Sequence, residues 1–347
     1  ICSFLCSFNN TKEMNISHSL IISILQAYKL FIKVEMGENM KNFLPEGSII
    51  ESVQNKQALS SLAHLKSAHQ QGIILEARVS LCDKDHNLHL MLGEIPAIIP
   101  KEEGALGIGD GSVRDIAVIS RVNKPVCFKI IDFDKDEAGN LRAVLSRKAV
   151  QEECRDKYLS TLKCGDVIPA CVSHMENFGV FLDIGCGLSA LMPIDSISIS
   201  RIPHPSSRFV QGQYIKAIVK GIDEQGRITL SHKELLGTWE QNAQLFSPGE
   251  TVPGIVRSVE KYGIFVELTP NLAGLAEYSN GVVAGQHASV YIKSLNPERM
   301  KIKLIIVDCF DANYPPAPLH YFTDSTHLSH WLYSPESCQK VIETSFE

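Results

Sequence analysis

Two short stretches carry the residues best suited to recognising a ligand. In 176-ENFGVFLDIG-185 and 260-EKYGIFVELT-269, two aromatic rings stand three positions apart around a glycine: Phe178 and Phe181, then Tyr262 and Phe265. Exposed aromatic faces stack on nucleobases without requiring a particular base, because every base has a π-face. Strict strand alternation would send positions 178 and 181 to opposite faces. A bulge at Gly179, and another at Gly263, is expected to bring both rings to one surface. The plainer alternative keeps Phe178 and Tyr262 in a core and leaves only Phe181 and Phe265 outside.

Phosphates would need cations. In 201-RIPHPSSRF-209, Arg201, His204 and Arg208 are candidates, set on a long loop of an otherwise acidic chain. Lys293, Lys301 and Lys303 are further candidates, and they also read as ordinary strand residues facing water. Other chemistry has weaker signals. The glycine-rich 104-GALGIGDGS-112 is not followed by GK[ST] and reads as a flexible loop. His327, His330, Trp331 and Cys338 match no common zinc spacing, so no metal or other cofactor is expected. Packing of a tail through Trp331 and Tyr333 is the better reading. No catalytic constellation emerges, and the chain is not expected to be an enzyme.

The elements that hold these residues repeat. One copy runs 165-GDVIPACVS, ENFGVFLDIG, SALMPID, a long loop, 212-GQYIKAIVKGID and 228-ITLSHKE; a second runs 249-GETVPGIVRSVE, KYGIFVELT, AGLAEYS, 285-GQHASVYIKSLN and 301-KIKLIIVD. Val180, Leu182 and Ile184 alternate with Phe181 and Asp183, as Ile264, Val266 and Leu268 do with Phe265 and Glu267, so the unit is all β with aliphatics inside. Gln225-Gly226 predicts a hairpin turn. Five short strands with one long connection fit a small Greek-key barrel. A weaker copy lies upstream, where 86-HNLH-89 replaces FGVF: Leu88, Leu90 and Leu92 keep the core, Asn87 stands in the glycine position, and His86 and His89 replace the aromatics. Those histidines could stack on bases, but a degenerate module used for docking is preferred. Helical periodicity over 53–70, 146–162 and 233–246 predicts short packed bridges, and Ser334-Pro335 predicts the start of a last helix.

Length and composition fit this plan. At 347 residues, two to four compact units are expected, and a net charge of −6 excludes a uniformly basic nucleic-acid protein. Ten cysteines without a CxxC suit reduced thiols in a cytoplasm. The apolar stretch 20-LIISILQAYKLFIKV-34 is too short to span a membrane, and no basic segment precedes it, so no signal peptide is expected. Residues 1–39 read as a disordered or artefactual extension, with Met36 or Met40 as a natural start.

With GDVI, FGVFLDIG and GRITLSHKE in view, the chain resembles the S1 RNA-binding domain, the OB-fold module repeated in bacterial ribosomal protein S1 and found in polynucleotide phosphorylase. The whole is similar to the shorter S1-like proteins of clostridia-type bacteria. The resemblance implies a mainly β protein of tandem five-stranded OB barrels joined by short helices. It divides into a helical lead-in at 40–71, a degenerate module at 72–150, modules at 163–236 and 247–308, and a tail at 314–347 with a short helix. It implies an RNA surface made of Phe178, Phe181, Asp223 and Arg227 in the second copy, with Pro193 in place of the family histidine. In the third copy the matches are Tyr262 and Phe265, with Lys301 near the arginine position. Glu277 takes the histidine position there, an unhelpful charge beside a phosphate that predicts weaker binding. The expected function is binding of single-stranded mRNA in support of translation on the small ribosomal subunit, in the cytoplasm and without a membrane. The alternative is a factor of RNA metabolism that recruits transcripts to a nuclease away from ribosomes.

Overall fold

Three times along the chain, alternating apolar residues build strands that close into a five-stranded barrel. The computed structural model describes residues 43–136 and 139–346; the extension expected over residues 1–39 lies outside them. Two short helices, α1 (Val53–Ala58) and α2 (Leu62–Gln71), lead in, each with a serine side chain accepting from the third backbone N–H beyond it. Gly72 ends α2 in the left-handed conformation, at φ 61°. Barrel one then comprises β1 (Leu75–Cys82), β2 (Leu88–Leu92), β3 (Ile95–Ile99), β4 (Pro125–Lys135) and β5 (Leu141–Ser146), with the one-turn helix α3 (Ile116–Ile119) in the β3–β4 connection.

Helix α4 (Lys148–Lys157) bridges to barrel two, made of β6 (Val167–Glu176), β7 (Gly179–Gly185), β8 (Leu188–Pro193), β9 (Tyr214–Ile222) and β10 (Ile228–Ser231). Helix α5 (Trp239–Ala243), opened by a reciprocal Thr238–Gln241 capping box, leads to barrel three: β11 (Thr251–Glu260), β12 (Gly263–Thr269), β13 (Leu272–Ala276), β14 (His287–Asn296) and β15 (Lys301–Phe310). In each barrel the first three strands form a meander, the fifth pairs parallel to the third, and the fourth closes the sheet between the fifth and the first. This is the OB plan, and it leaves no open sheet edge. Leu88, Leu90 and Leu92, Val180, Leu182 and Ile184, and Ile264 and Val266 fill the three interiors.

The tail contains no helix at its end. Instead β16 (His330–Leu332) and β17 (Glu343–Ser345) pair antiparallel, and the Ser334 hydroxyl accepts from the backbone of Ile342 at 2.8 Å, across the hairpin connection. The reason lies in burial at period two: Trp331 and Tyr333 enter the core of barrel three, while Phe346 packs with Val167, Ile218 and Leu235 of barrel two and its exit. A helix running on from Ser334 would unpair β17 from β16 and take Phe346 away from barrel two. His327 bonds Asp166 at 2.8 Å and His330 bonds Glu343 at 3.0 Å, so the tail histidines are engaged separately.

Buried polar knots hold neighbouring barrels together. Between barrels one and two, Glu46 is gripped by Arg147 (2.6 and 3.1 Å) and approached by Arg121 at 3.5 Å, while its own backbone N–H donates to Asp183 of β7 at 2.8 Å. Gln151 of α4 donates to the Cys186 carbonyl, in the β7–β8 turn, and accepts from Leu106 of barrel one. Nearby, buried Glu76 accepts from the backbones of Gly47 and Ile49 at 3.0 and 3.1 Å. Burial, reinforced by the charge of Glu46, pushes its carboxyl up to about 8.

This proton has a consequence for stability. The unfolded chain releases it near the ordinary carboxylate value, so the folded state holds more protons up to about pH 8 and loses stability as pH rises through that range. Buried His232, pushed down to about 4 by desolvation, acts with the opposite sign, but only below its unfolded value. Buried Asp183, pushed up to about 7 by burial and by the charge of Glu46, adds a smaller loss of the same sign above pH 7. Urea unfolding should show a loss of roughly 1 to 2 kcal/mol from pH 7 to 8.5, clearly reduced in Glu76→Gln; an unchanged pH slope in the variant would contradict this assignment.

Candidate nucleic-acid interface

Hairpin β6–β7 turns on only two residues, Asn177 and Phe178, because Glu176 pairs with Gly179. Phe178 therefore lies on the turn, outside the alternation of the strand, and is 56% exposed. Its ring meets that of Phe181 edge to face at a centroid distance of 6.0 Å. Both rings thus share one surface, as expected, but not through a bulge at the glycine. The bulge lies on the opposite strand, where Ser173 is the extra residue between the Val172–Leu182 and His174–Phe181 pairs. Gly179 serves a different need: a Cβ there would run into the Met192 carbonyl of β8.

Barrel three repeats the arrangement closely. Tyr262 is 71% exposed and meets Phe265 edge to face at 6.1 Å. Arg257 is the extra residue on β11, and a Cβ on Gly263 would come within 2.6 Å of the Ala276 carbonyl. The alternative that put Phe178 and Tyr262 in a core does not hold.

Strand registers extend each pair of rings into a row across the barrel's outer face. In barrel two the row is His174, Phe181, Leu191 and Thr229; in barrel three it is Ser258, Phe265, Leu275 and Lys303. His174 was not singled out from sequence. Its ring lies nearly parallel to Phe181, 6.5 Å between centroids and 22° apart, and its Nε2 is 2.7 Å from Glu176. Counting back from a two-residue turn would have found it. Arg227 lies one strand repeat before Thr229, and Lys301 one before Lys303, so both sit on the same face as the row, away from Phe178 and Tyr262.

The same row in barrel one reads Leu81, His89, Ile98 and Val144. His89 lies 2.9 Å from Asp83, and His86, in the left-handed conformation at φ 66°, lies 3.1 Å from Asp115. The positive φ falls on His86 and not on Asn87, which uses its side chain to accept from Lys101 N and donate to Asp83. Both imidazoles are held by carboxylates, and Asp83, bonded by His89, is pulled well below the usual carboxylate range.

The loop candidates separate. Arg201 is exposed; His204 is half-buried, and its Nδ1 lies 3.1 Å from the Ser206 backbone N–H, which caps a short 3-10 turn. Arg208 must be corrected. It is 5% exposed and its guanidinium is 2.5 Å from Glu267 of barrel three, which also holds Arg257 at 2.8 and 3.0 Å. An arginine shut into a junction between barrels is not available to a phosphate. Asp223 accepts from the backbones of Gln225 and Arg227, ordering the β9–β10 turn, and pairs with the Arg227 guanidinium at 2.6 Å. Lys293, at the bulge of β14, is exposed, as are Lys301 and Lys303.

These features meet their counterpart among known proteins. A family model described as the S1 RNA binding domain matches residues 161–233, which is barrel two. Small ribosomal subunit protein bS1 of Staphylococcus aureus is 28% identical over 286 residues, covering 80% of this chain and 68% of that one. Barrel two thus matches the S1 RNA-binding domain family. The bS1 protein of Rickettsia conorii is 30% identical over 242 residues and a bS1 homolog of Bacillus cereus 32% over 207, covering 61% and 55% of this chain. The chain spans about half the length of these two relatives, 42% and 53%.

The second and third barrels are locked by a carboxylate between two guanidinium groups. Glu267→Gln would leave both arginines buried without a counter-charge, and should cost about 3–5 kcal/mol in denaturant unfolding. Arg208→Met leaves Glu267 still paired with Arg257, and the loss should be clearly smaller. Equal losses would mean that the junction does not depend on this charge balance.

Proposed function

We propose that this chain is an S1-family protein that binds single-stranded RNA, grips mRNA through barrels two and three, and supports its translation on the small ribosomal subunit. The observation that carries this reading is the recurrence of one arrangement in two barrels: an exposed ring on a hairpin turn, edge to face with a second ring three residues on. Exposed rings clustered at the same place in two barrels mark an interaction surface. Bases supply flat partners, and the exposed Arg201, Arg227, Lys293 and Lys301 lie where a phosphate backbone can be followed. Asp223 orders the turn that presents Arg227. Barrel one, with its imidazoles tied to carboxylates, is assigned to docking.

No step in this function is catalytic. Two weak sites on one chain raise overall affinity through effective concentration. The ribosomal role draws on the relatives' names, small ribosomal subunit protein bS1, and a cytoplasmic location is part of this reading. Among the described residues no helix is long and apolar enough to cross a membrane.

Fluorescence anisotropy with a labelled oligouridylate tests the reading. Replacing all four rings (Phe178, Phe181, Tyr262 and Phe265) by alanine should weaken binding at least tenfold, since each stacked base contributes about 1–3 kcal/mol. Unchanged affinity would sink the site. Sedimentation of gently lysed cells tests the cellular role, with the protein expected in small-subunit fractions.

A further inference from the structure

The two aromatic sites look alike, but the cations around them do not. In barrel two the exposed Arg201 stands on the β8–β9 loop and not on the strand row, while Arg227 is paired with Asp223, Lys220 donates to the Ser196 hydroxyl at 3.1 Å, and Arg208 is buried against Glu267. Its cross-barrel row ends on a neutral residue, Thr229. In barrel three the equivalent position is Lys303, directly beside Leu275, which neighbours Phe265. Lys303 also pairs with Ser294, next to the bulged Lys293, and Lys301 lies one strand repeat away on the same face. Among the described residues none of these three lysines has a carboxylate partner, and all are exposed.

We infer that barrel three is the principal RNA grip of the chain, and that Lys303 is the phosphate contact that distinguishes it from barrel two. This rests on the RNA-binding reading above. A free ammonium gives its full charge to an incoming phosphate. A guanidinium already paired with a carboxylate must first give up that partner, and the carboxylate stays behind to repel the phosphate. Position 303 is also central: it shares a row with Phe265, so a base stacked on the rings keeps its phosphates within reach of the lysine. Glu277, the charge that predicted a weaker third copy, follows β13 at the Tyr262 end of the face, whereas Lys301 lies at the other end. Glu260, one strand repeat after Ser258, lies at the Tyr262 end as well, so the charges that oppose a phosphate gather away from Lys301, and the order of the two barrels expected from sequence is reversed.

The test exchanges the residues at this one position in the full chain. Binding of a labelled oligouridylate is measured across a salt series for the wild type, Lys303→Thr and Thr229→Lys. Lys303→Thr should weaken binding roughly three- to fivefold at low salt and flatten the log affinity–log salt slope by about 0.7. Thr229→Lys should steepen the slope by about the same amount. Both positions lie on the outer face, and coincident thermal melts would verify that each variant is folded. In parallel, Tyr262→Ala/Phe265→Ala should cost more affinity than Phe178→Ala/Phe181→Ala. If the wild type binds but neither exchange moves the slope, or the barrel-two pair costs as much as the barrel-three pair, the inference is overturned while RNA binding stands. A wild type that does not bind overturns both.

Discussion

Register in the first hairpin of each barrel is the constraint on which the rest depends. Side chains alternate with period two, so a shift of one residue would exchange the core for the surface. The two-residue turn at Asn177-Phe178 fixes the pairing of β6 with β7, and the single extra residue at Ser173 resets it beyond the bulge. Val180 and Leu182 then point inward while Phe181 points out. The close passage of Gly179 against Met192, and of Gly263 against Ala276, lets the next strand lie flat enough for the row of outer residues to continue. A barrel with no free edge cannot slide to another register without breaking pairing on both sides, so the rings are presented by the most rigid part of the fold.

The barrels are joined by buried carboxylates held between guanidinium groups. Glu46 with Arg147 and Arg121 secures the first junction, and Glu267 with Arg208 and Arg257 the second. Ion pairs of this kind add little stability over a well-packed apolar contact, because both charges leave water. What they add is selectivity of contact: a misplaced barrel would leave charge buried without a partner. The tail extends the same logic with apolar groups, placing Trp331 and Tyr333 against barrel three and Phe346 against barrel two.

Much of this was legible in the residues. Alternation named the strands and the aliphatic core of all three copies, including the divergent first, and the recurrence of ring, glycine, aliphatic and ring marked the two aromatic sites. The misreadings share a cause. Arg208 looked like a loop cation because its partner, Glu267, is 59 positions away in another barrel. The bulge was assigned to the glycine because a bulge and a close backbone approach both call for one. Ser334-Pro335 carries a local helix-start signal that the pairing of β17 with β16 and the burial of Phe346 override.

Three barrels, their inward residues and the identity of the rings can be read from residue order, because these depend on period and on contacts between near neighbours. Which cations are free is settled by folding. That choice depends on partners brought together from distant segments: Glu267 takes Arg208, Ser196 takes Lys220, and Lys303 is left open beside Leu275. A charge in a sequence is only a formal charge. Folding decides whether it is spent on the protein or left for a ligand, because in a low-dielectric junction it must be matched and on an outer strand it need not be.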